Sequence, residues 1–344
     1  MLIKSISSTL LCVFLIACSA TQMPTSDKIQ DVNAASPLRI EIYDASLNAI
    51  LDDSIEPEVV ASGFTWSEGP VWVESEQKVL FSDVPRNLVL SWSEHEGLQE
   101  YLNPAGATGL LPNASHEGSN GLALNAEGQL VLAQHGDRRV SKLRSSMANP
   151  KPSYETLADN FQGKKFNSPN DLHIQKDGTI WFTDPPYGLP QGPLDKVNRE
   201  LDFNGVFRIS KERVVTLVST ELSYPNGIAM SNDESVLYVA NSDPKHAVWM
   251  AWPIDENRML GEGKILFDAT HMVADGNGLP DGLKIHPTGV LFATGPDGVL
   301  LLSPEGKLLG QILTGQPTGN LAFNNDFSTL YITANNRLVR IKMK

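Results

Sequence analysis

The chain has 344 residues, of which 41% are hydrophobic and 19% are charged, a balance typical of a soluble globular protein with a sizeable core. Its 40 acidic and 27 basic residues give a formal net charge of −13, and no Lys/Arg-rich run offsets that balance. Because binding to a phosphate backbone needs a cationic face, this composition argues against nucleic acid as a partner.

The first residues predict a targeting segment. Lys4 provides a positive start, and residues 10–17 are almost wholly apolar but too short to span a bilayer. The segment ends in LIAC at residues 15–18, which resembles the lipobox of bacterial lipoproteins. That resemblance implies removal of residues 1–17, lipidation of Cys18 and, with Ser19 next, a location on the outer membrane facing the periplasm. An ordinary signal peptide cut nearby and a misread start of the chain are the alternatives.

The two cysteines agree with export. Cys12 lies inside the targeting segment, so the mature chain would keep Cys18 alone and would be stable without disulfides. Residues 18–36 then comprise the lipidated cysteine and a flexible tether rich in Ser, Thr, Asn and Asp. Residues 37–344 are predicted to form a single domain.

That domain shows no long amphipathic helical pattern. Short runs rich in Val, Ile, Leu, Phe, Tyr and Trp alternate instead with turn residues, and the chain contains 27 Gly and 22 Pro. Such runs, punctuated by Gly, Asn, Asp and Pro, are typical of an all-β protein.

A sequence repeat within this domain indicates which all-β fold it adopts. A polar residue, usually followed by Gly, opens a short apolar run; a turn and a second apolar run follow. Five opening residues recur at intervals of 50–56 residues, and the tail supplies a sixth copy, so that the series is Glu68, Asn120, Asn170, Asn226, Asp281 and Gly319. Periods of this length with several short strands each predict a six-bladed β-propeller.

In a propeller the innermost strand of each blade faces a central channel, so the six opening residues would form a ring at one mouth. Asn-Gly pairs in ordinary solvated turns are the alternative. Five polar residues at matched positions, two of them acidic, favour the ring. Because Gly319 has no side chain, its sector is predicted to be open to water or substrate.

Two carboxylates and several amide oxygens at one mouth are hard donors that suit Ca²⁺, with Mg²⁺ or Mn²⁺ as alternatives. No Cys or His occupies the repeat position, which argues against a structural zinc site. Without a cation, the two acids would repel each other and their pKa values would rise.

Several motifs taken together resemble the gluconolactonase/regucalcin (senescence-marker protein) family over residues 55–340. The repeat positions contribute Glu68-Gly-Pro, Ser168-Pro-Asn-Asp-Leu, Pro225-Asn-Gly-Ile-Ala and Pro280-Asp-Gly-Leu. Three further stretches are similar to the bacterial gluconolactonase branch: Gln134-His-Gly-Asp-Arg-Arg-Val140, Phe182-Thr-Asp-Pro-Pro-Tyr-Gly188 and Leu201-Asp-Phe-Asn-Gly-Val206.

The resemblance implies a metal-dependent hydrolase of a sugar lactone such as D-glucono-1,5-lactone. It implies one divalent cation, with Ca²⁺ preferred and Mg²⁺, Mn²⁺ or Zn²⁺ as alternatives, and four ligands: Glu68, Asn170, Asn226 and Asp281. Asp281 would also activate the attacking water. The chain offers no Gly-x-Ser-x-Gly nucleophile motif.

Four residues are predicted to contact substrate: Asn120, Asn170, His135 and Tyr187. Structural roles are the alternative for His135 and Tyr187, and the roles of Asp171 and Asp184 stay open between the site and the scaffold. At most one of Arg138 and Arg139 is expected to reach the cavity, and a solvated outer salt bridge is favoured for them. The remaining histidines share no ligand spacing and are interpreted as structural.

Two other functions remain compatible with the sequence. One is a non-catalytic propeller that binds a sugar or a partner around a structural cation, because fold alone does not define function. The other is an esterase or phosphotriesterase that uses the same metal. Nothing in the sequence indicates a protein partner, and contact with a membrane is expected only through the lipid at Cys18.

Overall fold

The structure is a computed structural model that describes residues 38–112 and 114–344. The predicted targeting segment, Cys18 and the tether therefore lie outside the described residues. Within the described ranges, no helix is long and apolar enough to cross a membrane.

The predicted six-bladed β-propeller is confirmed. Two strands precede the first blade: β1 (Arg39–Ile42) and β2 (Glu58–Ser62). Blade I contains β3 (Ser67–Val73), β4 (Lys78–Asp83), β5 (Leu88–Ser93) and β6 (Gly97–Leu102). Blade II contains β7 (Ser119–Leu124), β8 (Leu130–Gln134), β9 (Arg139–Leu143) and β10 (Tyr154–Ala158). A small hairpin, β11 (Asn160–Phe161) and β12 (Lys164–Lys165), follows.

The other four blades continue the same antiparallel order. Blade III contains β13 (Leu172–Ile174), β14 (Ile180–Asp184), β15 (Gly205–Ile209) and β16 (Val215–Ser219). Blade IV contains β17 (Pro225–Met230), β18 (Val236–Asp243), β19 (His246–Pro253) and β20 (Lys264–Asp268). Blade V contains β21 (Leu283–Ile285), β22 (Leu291–Gly295), β23 (Gly298–Leu302) and β24 (Leu308–Leu313). Blade VI contains β25 (Asn320–Phe323), β26 (Thr329–Ala334) and β27 (Arg337–Lys342).

Short 3₁₀ helices lie in the connections, at Ala45–Ala49, Glu74–Glu76, Val84–Arg86, Gly192–Leu194 and Thr270–Met272.

The two N-terminal strands complete the C-terminal blades. Strand β2 pairs antiparallel with β27 and supplies the outer strand of blade VI. Strand β1 pairs with β24 and adds a fifth strand to blade V. The chain therefore closes the ring of blades by joining its two ends within one sheet.

Apolar side chains fill the space between neighbouring blades. Between blades II and III, Val131 and Val140 pack against Phe182 and Phe207, whose rings are stacked with centroids 5.3 Å apart. Equivalent buried clusters join each of the other neighbouring pairs, including blades VI and I. Because packing holds every blade to both neighbours, the innermost strands keep fixed positions around the channel.

Candidate active site

The opening residue of each repeat lies where the innermost strand is interrupted. In β3, β7 and β17 the pairing shifts between Glu68 and Val71, Ser119 and Leu122, and Pro225 and Ile228. Strands β13 and β21 begin two residues after Asn170 and Asp281. Because such a shift bends the strand and re-aims side chains, the opening residues leave the sheet at the channel mouth.

Hydroxyl groups from the second strands of three blades fix the ring backbone. Each donates a hydrogen bond to the carbonyl oxygen of an opening residue in the next blade: Ser82 to Asn120 at 2.8 Å, Thr183 to Asn226 at 2.7 Å, and Thr294 to Gly319 at 2.8 Å. The backbone contact is close at Gly69, where φ is +51° and an added Cβ would lie 2.1 Å from the Asn120 carbonyl oxygen.

Five of the six opening residues line one cavity of about 400 Å³. They are Glu68, Asn120, Asn170, Asn226 and Asp281. The remaining lining residues are Trp66, Val84, Pro85, Glu117, His135, Tyr187, Ser242, Gly278 and Leu279. The structure thus brings together every site residue predicted for the propeller.

Glu68 is buried at the base of this cavity, with 2% of its surface exposed. Trp66 Nε1 donates to Glu68 Oε1 at 3.2 Å, and the Gly69 backbone N–H donates to Oε2 at 3.1 Å. Burial, followed by the negative charge of Asp171, raises the Glu68 pKa to about 7 even though these donors favour the ionised form.

The Asp281 carboxyl is perturbed in the same direction. Its burial, followed by the charges of Glu68 and Asp171, raises the Asp281 pKa well above its ordinary value. This agrees with the expectation that two acids at one mouth repel each other when no cation balances them.

Ser242 connects two of the predicted ligands. Asn226 Nδ2 donates to Ser242 Oγ at 3.0 Å, and Ser242 Oγ donates to the carbonyl oxygen of Pro280, directly before Asp281. No sequence pattern distinguishes Ser242, whose hydroxyl links the Asn226 amide to the Pro280 carbonyl group.

Residues 66–336 match the family described as the SMP-30/Gluconolactonase/LRE-like region. The chain belongs to the SMP-30/gluconolactonase family. The match confirms the family indicated by the motifs.

Individual relatives agree with this membership. The gluconolactonase of Zymomonas mobilis subsp. mobilis is 38% identical over 321 residues, covering 91% of this chain and 88% of that protein. The solved structure of a Xanthomonas campestris gluconolactonase is 29% identical and covers 91% of this chain and 99% of its own, with a TM-score of 0.76. A calcium-binding regucalcin of Agrobacterium tumefaciens shares the fold at 17% identity, covering 84% of this chain and 95% of its own, with a TM-score of 0.65.

In this member of the family, Asp171 lies one residue beyond the ring. Asn320 Nδ2 of blade VI donates to Asp171 Oδ2 of blade III at 3.2 Å, across the channel. Lys284 Nζ donates to Asn320 Oδ1 at 3.2 Å. Asp171 therefore belongs to a cross-channel network that bridges opposite blades.

His135 and Tyr187 both lie in the cavity wall. His135 Nδ1 is 2.9 Å from Glu117 Oε2, and its Nε2 is buried without a hydrogen-bond partner. The Tyr187 hydroxyl donates to the Ser242 carbonyl oxygen at 3.3 Å, and burial, followed by the charge of Asp281, raises its pKa. The Tyr187 ring also stacks on Tyr224 at 5.9 Å, which fixes it as part of the wall.

The expectation of an open sector at Gly319 is wrong. A Cβ added at Gly319 would lie 2.4 Å from Glu68 Oε1, so the Glu68 carboxylate occupies the space that the missing side chain leaves. Glycine is needed there because the Glu68 carboxylate of blade I packs directly against the backbone of Gly319 in blade VI.

The expected solvated salt bridge at Arg138 and Arg139 is also wrong, because both side chains are buried. Arg138 has a φ of +54° and lies in the turn before β9, so strand alternation does not apply to it. Its Nε donates to the Phe166 carbonyl oxygen at 2.6 Å, whereas Arg139 pairs with Asp137 at 2.9 Å. Both arginines support the loops behind the cavity.

Asp184 has a structural position. Its carboxylate accepts hydrogen bonds from the backbone N–H groups of Asn167 at 2.7 Å and Ser168 at 2.8 Å. It thereby holds the segment that leads into Asn170.

The donor set at the ring fits a hard divalent cation. In residues 38–112 and 114–344, no group of three or more His, Cys, Asp or Glu side chains is arranged to hold a metal, so amide oxygens would have to complete the ligand set. Asn170 and Asn226 lie beside Glu68 and Asp281 in the cavity and offer such oxygens. The mutual repulsion of the two buried acids favours an added positive charge.

Proposed function

We propose that this protein hydrolyses a sugar lactone, D-glucono-1,5-lactone or a related aldonolactone, to the aldonic acid with one divalent cation at the ring. Lactone hydrolysis in general follows from its family and from its 38% identity with a gluconolactonase. The observation that carries the finer proposal is the pair of buried, mutually repelling carboxylates, Glu68 and Asp281, that line one cavity with three asparagines.

Four side chains would hold the cation: Glu68, Asn170, Asn226 and Asp281. Their oxygens suit Ca²⁺ first, with Mg²⁺, Mn²⁺ or Zn²⁺ as alternatives. When bound, the cation polarises the lactone carbonyl and stabilises negative charge on its oxygen. The calcium-binding regucalcin with the same fold supports the choice of Ca²⁺.

Side chains of the protein would accept the proton from the attacking water and keep other water away from the reacting groups. A carboxylate oxygen of Asp281 takes a proton from the water whose oxygen attacks the carbonyl carbon. The bond between that carbon and the ring oxygen would then break, and Asp281 would pass the proton it took from water to the departing ring oxygen, which becomes a hydroxyl group of the aldonic acid. Trp66, Val84 and Leu279 form apolar parts of the wall, which limits competing solvent around the reacting groups.

The proposal includes export. The LIAC sequence at residues 15–18 supports lipidation of Cys18 and an outer-membrane location facing the periplasm. Metabolic labelling with a radioactive fatty acid tests this part, because the label is expected in the wild-type chain and lost in Cys18→Ala. Label retained in the variant would contradict lipidation at Cys18.

The catalytic proposal is tested on purified protein before and after treatment with a chelator. Hydrolysis of D-glucono-1,5-lactone above the uncatalysed rate is expected to disappear with the metal and to return with Ca²⁺, Mn²⁺ or Zn²⁺. Asp281→Asn is expected to lower kcat by about 10³-fold because it removes the proton acceptor.

Metal-independent turnover, or full activity in Asp281→Asn, would overturn the mechanism. Binding of a sugar or partner without turnover on a panel of lactones would indicate the non-catalytic alternative. Turnover of open-chain esters or phosphotriesters in preference to lactones would indicate the other alternative.

A further inference from the structure

The connection between β14 and β15 sets blade III apart from the other blades. It comprises residues 185–204, whereas the connection between the second and third strands of every other blade has two to four residues. It starts at the ring mouth, because the Thr183 hydroxyl bonds to the carbonyl oxygen of Asn226 in the ring and Tyr187 lines the cavity. The long connection therefore belongs to the ring-mouth face of the propeller.

The outermost part of this connection exposes two apolar side chains. Leu194 is 80% exposed and Val197 is 83% exposed, the highest fractions among the large apolar side chains of the described residues. Lys196, which is also exposed, lies between them. We call Leu194, Lys196 and Val197 the apex. An apex that holds its most apolar side chains in water indicates a contact with something outside the molecule.

Asp195 fixes the apex in this presentation. Its carboxylate, 1% exposed, accepts hydrogen bonds from the backbone N–H groups of Gln191 at 3.2 Å and Val197 at 3.0 Å. Asn198 donates to it twice, through its backbone N–H at 2.8 Å and its Nδ2 at 2.9 Å. The one acidic group of the turn is therefore directed inward, and the outward surface consists of two apolar side chains and a cation.

A second apolar point lies on the same face. Leu110, in the connection between β6 and β7, is 58% exposed. The same connection contains Glu117, which lines the cavity. Leu110 and the apex thus project from two separate loops around one mouth of the channel.

The first described strand also begins on this face. Arg39 of β1 is the register partner of Leu313 in β24, and Leu313 pairs in turn with Gly298 of β23. This is the ring-mouth end of blade V, where the Thr294 hydroxyl bonds to the carbonyl oxygen of Gly319. The preceding part of the chain, with its predicted lipid anchor, therefore joins the propeller on the face that carries the apex.

A lipid surface fits these features better than a protein partner does. Side chains that project from loops can enter the boundary between headgroups and acyl chains without the shape complementarity that a protein interface requires. Lys196 has the charge that complements lipid phosphate. The residues between Cys18 and Leu38 can span up to about 70 Å, so an anchor at Cys18 alone would leave the orientation of the propeller unspecified.

We propose that the ring-mouth face is a membrane-docking surface, in which the apex and Leu110 enter the headgroup region of a lipid bilayer. This contact is additional to the lipid predicted at Cys18 and directs the ring mouth toward the bilayer. The inference rests on the proposed export to a membrane and is independent of the proposed lactone hydrolysis.

The test places an environment-sensitive fluorophore at either end of blade III. The full chain with Cys12→Ser and Cys18→Ser has no other thiol, so Val197→Cys can be labelled specifically with a nitrobenzoxadiazole probe. Val214→Cys is the matched control, because Val214 is 59% exposed in the turn between β15 and β16, at the opposite end of the blade.

Vesicles of phosphatidylethanolamine and phosphatidylglycerol are expected to move the emission of the probe at position 197 to shorter wavelength. Nitroxide-labelled lipid is expected to quench it at least about threefold more than the probe at position 214. No response at position 197, or an equal response at both positions, would overturn the docking surface. A response at position 197 that needs only a higher protein concentration and no vesicles would indicate a second copy of the chain and would also overturn it.

Charge reversal tests the cation of the apex. In the Val197→Cys protein, Lys196→Glu is expected to lower the quenched fraction by about threefold, because the new carboxylate is repelled by phosphatidylglycerol. Lys211→Glu makes the same change in the turn that holds Val214 and is expected to leave quenching at position 197 unchanged. Equal effects of the two reversals would show that only net charge matters and would overturn the role of the apex.

The fatty-acid labelling of Cys18 distinguishes failure of the proposed export from failure of docking. A chain without label at Cys18 whose probe at position 197 responds to vesicles would retain the docking surface and lose the anchor. A labelled chain whose probe at position 197 does not respond would retain the anchor and lose the docking surface.

Discussion

The two mouths of the channel are formed by opposite ends of the same innermost strands, yet they differ in charge. The ring mouth, formed by Glu68, Asn120, Asn170, Asn226 and Asp281, opens into the cavity of about 400 Å³. The opposite mouth holds a larger cavity of about 560 Å³, whose lining includes the strand ends Leu124, Met230 and Phe323 and the cations Lys176 and Lys284.

Size therefore does not identify the functional mouth. At the opposite mouth the cations have partners: Lys176 Nζ donates to the Asn232 carbonyl oxygen at 3.0 Å, and Lys284 Nζ donates to Asn320 Oδ1. At the ring mouth, burial and then the charge of Asp171 raise the pKa of Glu68, and burial and then the charges of Glu68 and Asp171 raise the pKa of Asp281. Buried carboxylates with raised pKa values, more than cavity volume, therefore distinguish the candidate site from the opposite end of the channel.

We expect the largest difference between the two mouths in the loss of kcat/KM when one acidic side chain is replaced at each mouth. Glu68→Gln removes one of the two charges that would hold the cation, so kcat/KM for gluconolactone is expected to fall by about 10³-fold. Glu234→Gln makes the same change in the lining of the opposite mouth and is expected to leave kcat/KM unchanged. Activity of Glu68→Gln within about tenfold of wild type would remove Glu68 from the proposed site.

The charge imbalance also predicts how the stability of the metal-free protein depends on pH. The folded-state pKa of Glu68, about 7, lies above its ordinary value of 4.5, so the protonated form favours folding. This contribution is fully present below about pH 4.5 and is lost as the pH rises through about 7. Between pH 5.5 and 8, the free energy of unfolding is expected to fall by about 2 kcal/mol.

Thermal unfolding in chelator at the two pH values measures this loss as a lower Tm. Glu68→Gln, which has no proton to lose, serves as the control and should show a shallower pH dependence. Added Ca²⁺ should restore the wild-type Tm at pH 8 more than at pH 5.5, because the acids bind the cation when ionised. The same pH slope in both proteins would contradict the assignment to Glu68.

A smaller effect is expected from filling the space at Gly319. The methyl group of Gly319→Ala would collide with Glu68 Oε1 and push the carboxylate away from the ring. We expect kcat/KM to fall by about tenfold and calcium affinity, measured by calorimetry, to weaken in parallel. In the Glu68→Gln background the same substitution should cost much less, because both changes act through one carboxylate; additive losses would argue against that connection.

The smallest effect is expected at the opposite mouth. Lys284→Met keeps the aliphatic stem and removes the ammonium group that bonds to Asn320. Chemical denaturation should show a loss of about 1 kcal/mol, while kcat/KM changes by less than about twofold. A large loss of activity with unchanged stability would show that the cross-channel network serves catalysis.

The fold and the ring could be predicted because they depend on periodic features. Each repeat starts with one polar residue before an apolar strand, and a propeller places such positions around a common axis whatever the details of its loops. Asp281 could therefore be grouped with Glu68, although 213 positions separate them in the sequence.

Contacts made by the connecting loops follow no periodic pattern in the sequence, so they could not be predicted from it. Glu117 pairs with His135 from a connecting loop, and the burial of Glu68 against Gly319 depends on how closely blades I and VI approach. Trp66 is the exception, because it precedes Glu68 by only two residues and its Nε1 donates to Glu68 Oε1 from just before β3. The strands β1 and β2 pair with partners near the other end of the chain, which no local signal reveals.

The closure of the propeller has a consequence for the order of events during synthesis. Strand β2 is made early, but its partner β27 is made only after blades I to V, and the Lys344 N–H bonds to the carbonyl oxygen of Ile50. The ring of blades therefore cannot close before β27 has been synthesised. Because the ring gathers side chains from blades I to V, a chain that lacks β27 would lack the frame that holds them together, and the site forms only after blade VI is in place.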